Sequence, residues 1–231
     1  MESPPLTPEK RHIKSFVLRQ GRLSKAQQKA LDTQWPQYGI DFKAEKLNFE
    51  TLFGRQAPTY LEIGFGMGQS LAEMAQARPE HNFIGIEVHR PGVGALLKTL
   101  AEQQIQNIRI INHDAIEVLA QMIPNESLAG VYLFFPDPWH KKRHHKRRLV
   151  QPHFVAEVAR KLKPQGIFHL ATDWQDYAHH MMQVMTESPD FKNTQPQNQF
   201  TPRPENRPLT KFENRGQRLG HGVWDLIFYK A

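Results

Sequence analysis

The chain is predicted to fold as an α/β domain whose mostly parallel sheet is covered by helices on both faces. Three observations carry this expectation. Short strand-like runs alternate with helical stretches from residue 59 to residue 186, a glycine-rich turn joins the first run to the first helix, and the strand-helix unit repeats along the chain. Repeats of that kind occur where crossover helices bury both sides of a parallel sheet.

In chain order, Thr59 to Ile63 is a strand, Gly64 to Gly68 a turn and Gln69 to Ala77 a helix. Asn82 to Ile86 is the second strand, ended by Glu87, and Gly92 to Gln103 the second helix. Asn107 to Asn112 is the third strand, ended by Asp114, with a helix from Ala115 to Met122. Leu128 to Phe135 is the fourth strand, Pro152 to Leu162 a helix, Gly166 to Ala171 the fifth strand and Trp174 to Thr186 another helix. Residues 188 to 208, rich in Pro, Asn and Gln, interrupt the rhythm. Leu209 to Leu219 has some helical character, and the β-branched and aromatic run Val223 to Tyr229 reads as an added edge strand beside one of the late strands. Before all this, residues 1 to 34 read as a basic arm that orders late or on a partner. It holds one short helix from Ser24 to Leu31, capped by Ser24 with Gln27 three residues on. Residues 35 to 231 form a single domain.

The formal charge of +7 is uneven. Residues 1 to 30 hold seven Lys and Arg against two acids, and residues 141 to 148 add six basic residues with no acid, leaving 17 basic against 21 acidic elsewhere. Positive charge concentrated on two segments suits a phosphate-rich partner better than general solubility requires. The absence of cysteine excludes disulfides, thiolate metal sites and cysteine nucleophiles. The N-terminus lacks an apolar run after its charges, and no segment approaches the roughly 18 apolar residues of a membrane span. A cytoplasmic protein without a membrane partner is expected.

Glu62-Ile63-Gly64-Phe65-Gly66-Met67-Gly68 leaves the first strand and enters a helix. Glycines at 64, 66 and 68 let the backbone turn tightly against a ligand. Their spacing departs from the dinucleotide fingerprint, whose third glycine falls three residues after the second. Glu87 is placed to accept from both hydroxyls of a ribose, Asp114 from an exocyclic amine, and Glu62 to hold an ammonium. Acids facing amines and hydroxyls suit S-adenosylmethionine, and open parallel sheets bind ligands outside the carboxyl ends of their strands. Taken singly, Glu87 and Asp114 also read as helix caps.

The fourth strand ends in Phe134-Phe135-Pro136-Asp137-Pro138-Trp139-His140, where two prolines hold the Asp137 carboxylate at the sheet edge. A pinned carboxylate matches the N1–H and N2 donors of guanine, whose N7 lone pair attacks a sulfonium methyl without prior deprotonation. Such a reaction requires alignment and no metal or covalent nucleophile. Trp139 either stacks on the base or covers the core. Lys141 is close enough to the acid to reach into the site, and the basic run behind it reads as a backbone clamp. Asp173 reads as the N-cap of the helix after the fifth strand as readily as a target contact. Methylation of another nucleic-acid nitrogen, and a non-catalytic RNA-binding module on the same fold, are the competing readings.

With these residues in view, the chain resembles the bacterial tRNA (guanine-N7-)-methyltransferases, a class I S-adenosylmethionine-dependent family. The resemblance runs through Glu62 to Gly68, Gly85-Ile86-Glu87, Asp114, Phe135 to His144, Thr172-Asp173-Trp174 and Thr210-Lys211-Phe212-Glu213, from about residue 45 to the end. It implies a Rossmann-like, seven-stranded sheet with an antiparallel final hairpin, and methylation of guanine 46 in the tRNA variable loop. It further implies that Glu62, Gly64, Gly66, Gly68, Glu87, Asp114 and Asp137 meet the cofactor, with Asp137 catalytic. Lys141, Asp173, Thr210, Lys211, Phe212 and Glu213 would meet the target, and Arg143, His144, His145, Lys146, Arg147 and Arg148 the RNA backbone. Neither resemblance nor composition distinguishes a monomer from a homodimer.

Overall fold

The computed structural model describes residues 14–17, 21–205, 207, 208, 213 and 222–231. Among these, eight strands form one sheet: β1 (Gly39–Ile40), β2 (Thr59–Ile63), β3 (Asn82–Ile86), β4 (Ile108–Ile111), β5 (Leu128–Phe134), β6 (Leu162–Thr172), β7 (Phe191–Asn193) and β8 (Trp224–Lys230). Their spatial order is β1-β4-β3-β2-β5-β6-β8-β7. The first six are parallel, and β8 runs antiparallel to both β6 and β7.

Apolar residues of the strands divide between the two faces. Leu61, Ile63, Ile84, Ile86, Val131, Leu133, Phe168 and Leu170 share one core with α5 (Ala115–Gln121), α6 (Pro152–Lys161) and α7 (Gln175–Glu187). On the opposite face Phe83, Ile108, Ile110, Tyr132 and Phe134 pack with α1 (Lys25–Tyr38), α3 (Gln69–Ala77) and α4 (Arg90–Gln103). A short helix, α2 (Phe49–Phe53), adds Phe49, Leu52 and Phe53 to the margin of the first core. The two-residue alternation of side chains along each strand produces this division.

The order of the strands places the site. From β2 the chain steps outward through β3 and β4, then returns to lay β5 on the other side of β2, so the strand order reverses between β2 and β5. Ile63 and Leu133 are paired there. Crevices at the carboxyl ends of such a reversal are where open α/β sheets bind ligands. The glycine turn after β2 and the Pro-Asp-Pro segment after β5 therefore emerge side by side, although more than 65 residues separate them in sequence.

Several expectations need correction. The arm does not extend to residue 34. Ser24 and Gln27 do form a reciprocal capping box, but the helix they open continues to Tyr38 and buries Ala30, Leu31 and Tyr38. A Cβ on Gly94 would come within 2.9 Å of Gln27, which measures how closely α1 lies on α4. The segment from 188 to 208 contains β7, and β7 occupies the sheet edge in place of β8, which lies between β6 and β7. The sheet gains an eighth strand because Gly39–Ile40 pairs with the far side of β4. Asp173 does not cap α7. The cap position belongs to Trp174, whose N–H donates to Thr172 Oγ1 at 3.2 Å. The 209–219 stretch lies outside the described residues except for Glu213.

Candidate active site

The turn after β2 holds Gly64, Gly66 and Gly68 at φ of 73°, 59° and 80°, the left-handed region that side chains with a Cβ rarely adopt. It is stapled to β3: Gly64 N–H donates to Ile86 O at 2.8 Å, and Gly66 N–H to Glu87 Oε2 at 2.8 Å. Glu87 also accepts from Val88 and His89 N–H at 2.7 and 2.9 Å. A carboxylate has about four acceptor positions. Three are occupied here, so Glu87 has room for about one further hydroxyl where the sequence suggested two. Asn112 Nδ2 donates to Glu87 O at 2.6 Å and fixes the same strand end, a role that no local sequence signal marks.

Glu62 is buried beneath this turn. Its Oε2 has no hydrogen-bond partner among the described residues, and burial together with the neighbouring Glu87 carboxylate pushes its pKa up to about 8. A buried carboxyl with an unpartnered oxygen at the edge of a cavity is suited to a cationic ligand group. The cavity beside it holds about 290 Å³ and is lined by the glycine turn, Glu87, Phe134, Phe135, Pro136 and Asp137. A second cavity of about 110 Å³ shares Gly64, Glu87 and Asp137 and continues toward Asp114 and His113. Asp114 serves as cap and lining together: Oδ1 accepts from Ile116 N–H at 3.0 Å at the start of α5, and the residue lines the smaller cavity.

Asp137 is exposed and lines both cavities. Its backbone is held by more than prolines, because Phe135 and Trp139 on either side adopt φ of 51° and 49°, and Phe135 N–H donates to Ala171 O at 2.8 Å. Trp139 covers neither core. Its Nε1 donates to Ser15 O at 3.0 Å, and the Arg147 guanidinium lies 4.2 Å above its ring. Ser15 and Phe16 of the arm thereby reach the lining of the smaller cavity, a contribution the sequence does not signal.

The basic run forms a 3-10 helix over Lys142–Arg147. Lys141, Lys142, Arg143 and Lys146 are exposed, and His144 and His145 partly so. Slight desolvation and the cations of Arg143, Lys141, Arg147 and Lys146 hold His144 below its usual range, so it adds little charge near neutrality. Arg148 departs from the expected backbone clamp. It is 3% exposed, donates to Pro138 O at 2.9 Å and pairs with Asp176, so it holds the loop from within. His140 packs edge-on against Trp174, with ring centroids 4.1 Å apart, which ties this loop to the start of α7.

Glu213 is also placed differently from the expected target contact. It is fully buried, with Arg207 donating to both of its oxygens and Arg203 to Oε1. Thr210, Lys211 and Phe212 lie outside the described residues.

Known proteins provide the remaining comparison. A family profile described as "Putative methyltransferase" matches residues 56–226. A tRNA (guanine-N(7)-)-methyltransferase of Hydrogenovibrio crunogenus is 64% identical over 219 residues, covering 95% of this chain and 91% of that protein. The chain belongs to the tRNA (guanine-N7-)-methyltransferase family. A second member, from Psychromonas ingrahamii, is 62% identical over 94% of this chain and 89% of its own. Among solved structures, the 16S rRNA methyltransferase KamB aligns with a TM-score of 0.56 at 15% identity, covering 79% of this chain and 92% of that one, and shows the shared class I fold. The cofactor of this methyltransferase family is S-adenosylmethionine, and the residues fit it: the unpartnered Oε2 of buried Glu62 suits an ammonium, the remaining acceptor of Glu87 a ribose hydroxyl, and the positive-φ glycines a close backbone approach. Among the described residues there is no metal-binding cluster of His, Asp and Glu, and no helix long and apolar enough to cross a membrane.

Proposed function

We propose that this chain methylates N7 of guanine 46 in the variable loop of tRNA. One observation carries the reading: the strand reversal sets the cofactor cleft and Asp137 on a common wall, with an exposed basic helix directly after it. When bound, S-adenosylmethionine supplies an electrophilic methyl group. Guanine N7 already has a free lone pair, so the chain's task is to aim it. Asp137 accepts from the N1–H and N2 edge of the base, and its negative charge offsets the positive charge that builds on the ring. Lys141 and Asp173 stand at the rim where the nucleotide enters. Arg143, Lys146 and Arg147 meet the RNA phosphates, and the family resemblance assigns Thr210, Lys211 and Phe212 to the target. The enzyme acts in the cytoplasm, without a metal ion.

The test is direct. Unmodified tRNA transcript incubated with methyl-labelled S-adenosylmethionine should acquire 7-methylguanine at position 46, and a transcript with that guanine replaced should acquire none. Asp137→Asn should keep the fold and cofactor affinity while turnover falls on the order of 100-fold or more. Label at another nucleotide, or turnover by Asp137→Asn near that of the wild type, would refute the assignment.

A further inference from the structure

Between Glu213 and the strand end that carries Asp137 lies a buried ionic network. Arg207 is 2% exposed, with no exposed side-chain surface. Its Nη1 and Nη2 donate to Glu213 at 2.7 and 3.0 Å, its Nη2 also donates to Asp225 Oδ2 at 3.1 Å, and its Nε lies 2.7 Å from Asp225 Oδ1. Asp225 sits on β8 and meets His169 Nε2 of β6 at 2.7 Å. Desolvation holds His169 below its usual range, against the pull of Asp225, so the imidazole stays neutral and the charges balance between two carboxylates and two guanidiniums. The Arg207 guanidinium also lies 5.7 Å from the ring centroid of Phe135, within cation–π range of the positive-φ residue that starts the Asp137 segment.

We propose that Arg207 is a positioning residue for methyl transfer: one buried guanidinium that locks Glu213 to the strand end bearing Asp137. The proposal rests on the methyltransferase reading above. Stability alone accounts poorly for the arrangement. β6 and β8 are already joined along six residue pairs, and buried ion pairs are commonly matched or exceeded in stability by apolar residues of similar volume. Their best-attested use is to fix register. Arg207 touches both groups whose relative placement matters, Glu213 through a bidentate fork and Phe135 through its ring, with Asp225 anchoring the guanidinium to the sheet. A lysine could not do the same, since its ammonium is a point charge without the planar fork.

Arg207→Lys and the isosteric Glu213→Gln test this. For each, the melting temperature, the S-adenosylmethionine affinity by calorimetry and the single-turnover rate on tRNA with saturating cofactor are measured beside wild type. The expected result is cofactor affinity within about threefold of wild type and a retained cooperative melt, with the methyl-transfer rate reduced on the order of 100-fold, as for an alignment error of about 1 Å. A rate within about threefold of wild type in a folded variant overturns the proposal. So does a rate loss matched by an equal loss of cofactor affinity. If Arg207→Lys does not fold, Glu213→Gln is read by the same criteria. A wild-type enzyme that leaves guanine N7 unmethylated would remove the functional reading itself, a result visible before any variant is compared.

Discussion

Replacing Glu62 with Gln should make the cofactor-free protein more stable at alkaline pH and a poorer enzyme. The folded chain retains the Glu62 proton up to about pH 8, whereas an ordinary carboxyl releases it near 4.5. Because the folded-state pKa is raised, the stability this group contributes is fully present below pH 4.5 and is lost as pH climbs to about 8. At about 1.4 kcal/mol for each tenfold change in proton affinity, the loss is about 5 kcal/mol. Glutamine removes the ionisation and leaves its own amide imperfectly paired beside the former Oε2 position, at a cost of about 1–3 kcal/mol. Glu62→Gln should therefore match or slightly trail wild type at pH 5 and exceed it by about 2–4 kcal/mol at pH 9. In a chain of this size that is a rise on the order of 5–10 °C in melting temperature. Urea unfolding without cofactor at pH 5, 7 and 9 measures the difference. Calorimetry should show the opposite ordering for ligand: a charge-assisted contact worth about 1.5–3 kcal/mol is lost, weakening S-adenosylmethionine binding on the order of 10- to 100-fold. Wild-type binding at pH 7 should also release a proton, seen as a dependence of binding heat on buffer ionisation enthalpy. Parallel stability curves for the two proteins across the pH range would refute the reasoning.

Three further outcomes are expected. Arg143→Ala and Lys146→Ala should each lower the salt slope of tRNA binding by about 0.7–0.9 without changing stability. Arg148→Ala should leave that slope intact and destabilise the fold by about 2 kcal/mol, less than a fully buried pair because Asp176 is 62% exposed; filter binding from 50 to 200 mM salt with urea unfolding separates the two classes. Deleting residues 1 to 22 should preserve the melting transition, since the cap at Ser24 and the packing of Leu23 remain, while cofactor affinity falls with the loss of Ser15 and Phe16 from the smaller cavity. Deleting residues 1 to 30 should also destabilise the domain, a contrast that thermal melts would report. Gly92→Ala would set a Cβ 2.0 Å from Gly66 O, a backbone atom, so the glycine turn must shift. Cofactor binding should weaken about tenfold or more by calorimetry, and an unchanged affinity would contradict the close approach of α4 to the turn.

The strands of the central sheet were legible in sequence because each is a short apolar run bounded by turn residues, and Thr59–Ile63 and Asn82–Ile86 match to the residue. The carboxylates at their ends were legible for the same reason: strand periodicity fixes where a strand stops. Less legible were elements too short or too polar to carry a period, namely Gly39–Ile40, Phe49–Phe53 and Phe191–Asn193. The second half of α1 was missed because its apolar content is thin and its stability comes from α4.

The amino-acid order alone determined which chemical groups were present and at which strand ends: three glycines, four carboxylates and a cationic run. Tertiary structure decided which of them meet. The strand reversal joined Gly64 and Asp137 in one cleft, burial left Glu62 Oε2 without a partner and partnered Arg148 and Glu213 internally, and pairing across β6 and β8 brought His169 to Asp225, where Arg207 joins them. Local pattern encodes periodicity and end signals over a turn or a strand. The buried charge network is tied to the sheet by Arg207–Asp225 and His169–Asp225, contacts 18 and 56 positions apart that no helical turn or single strand contains.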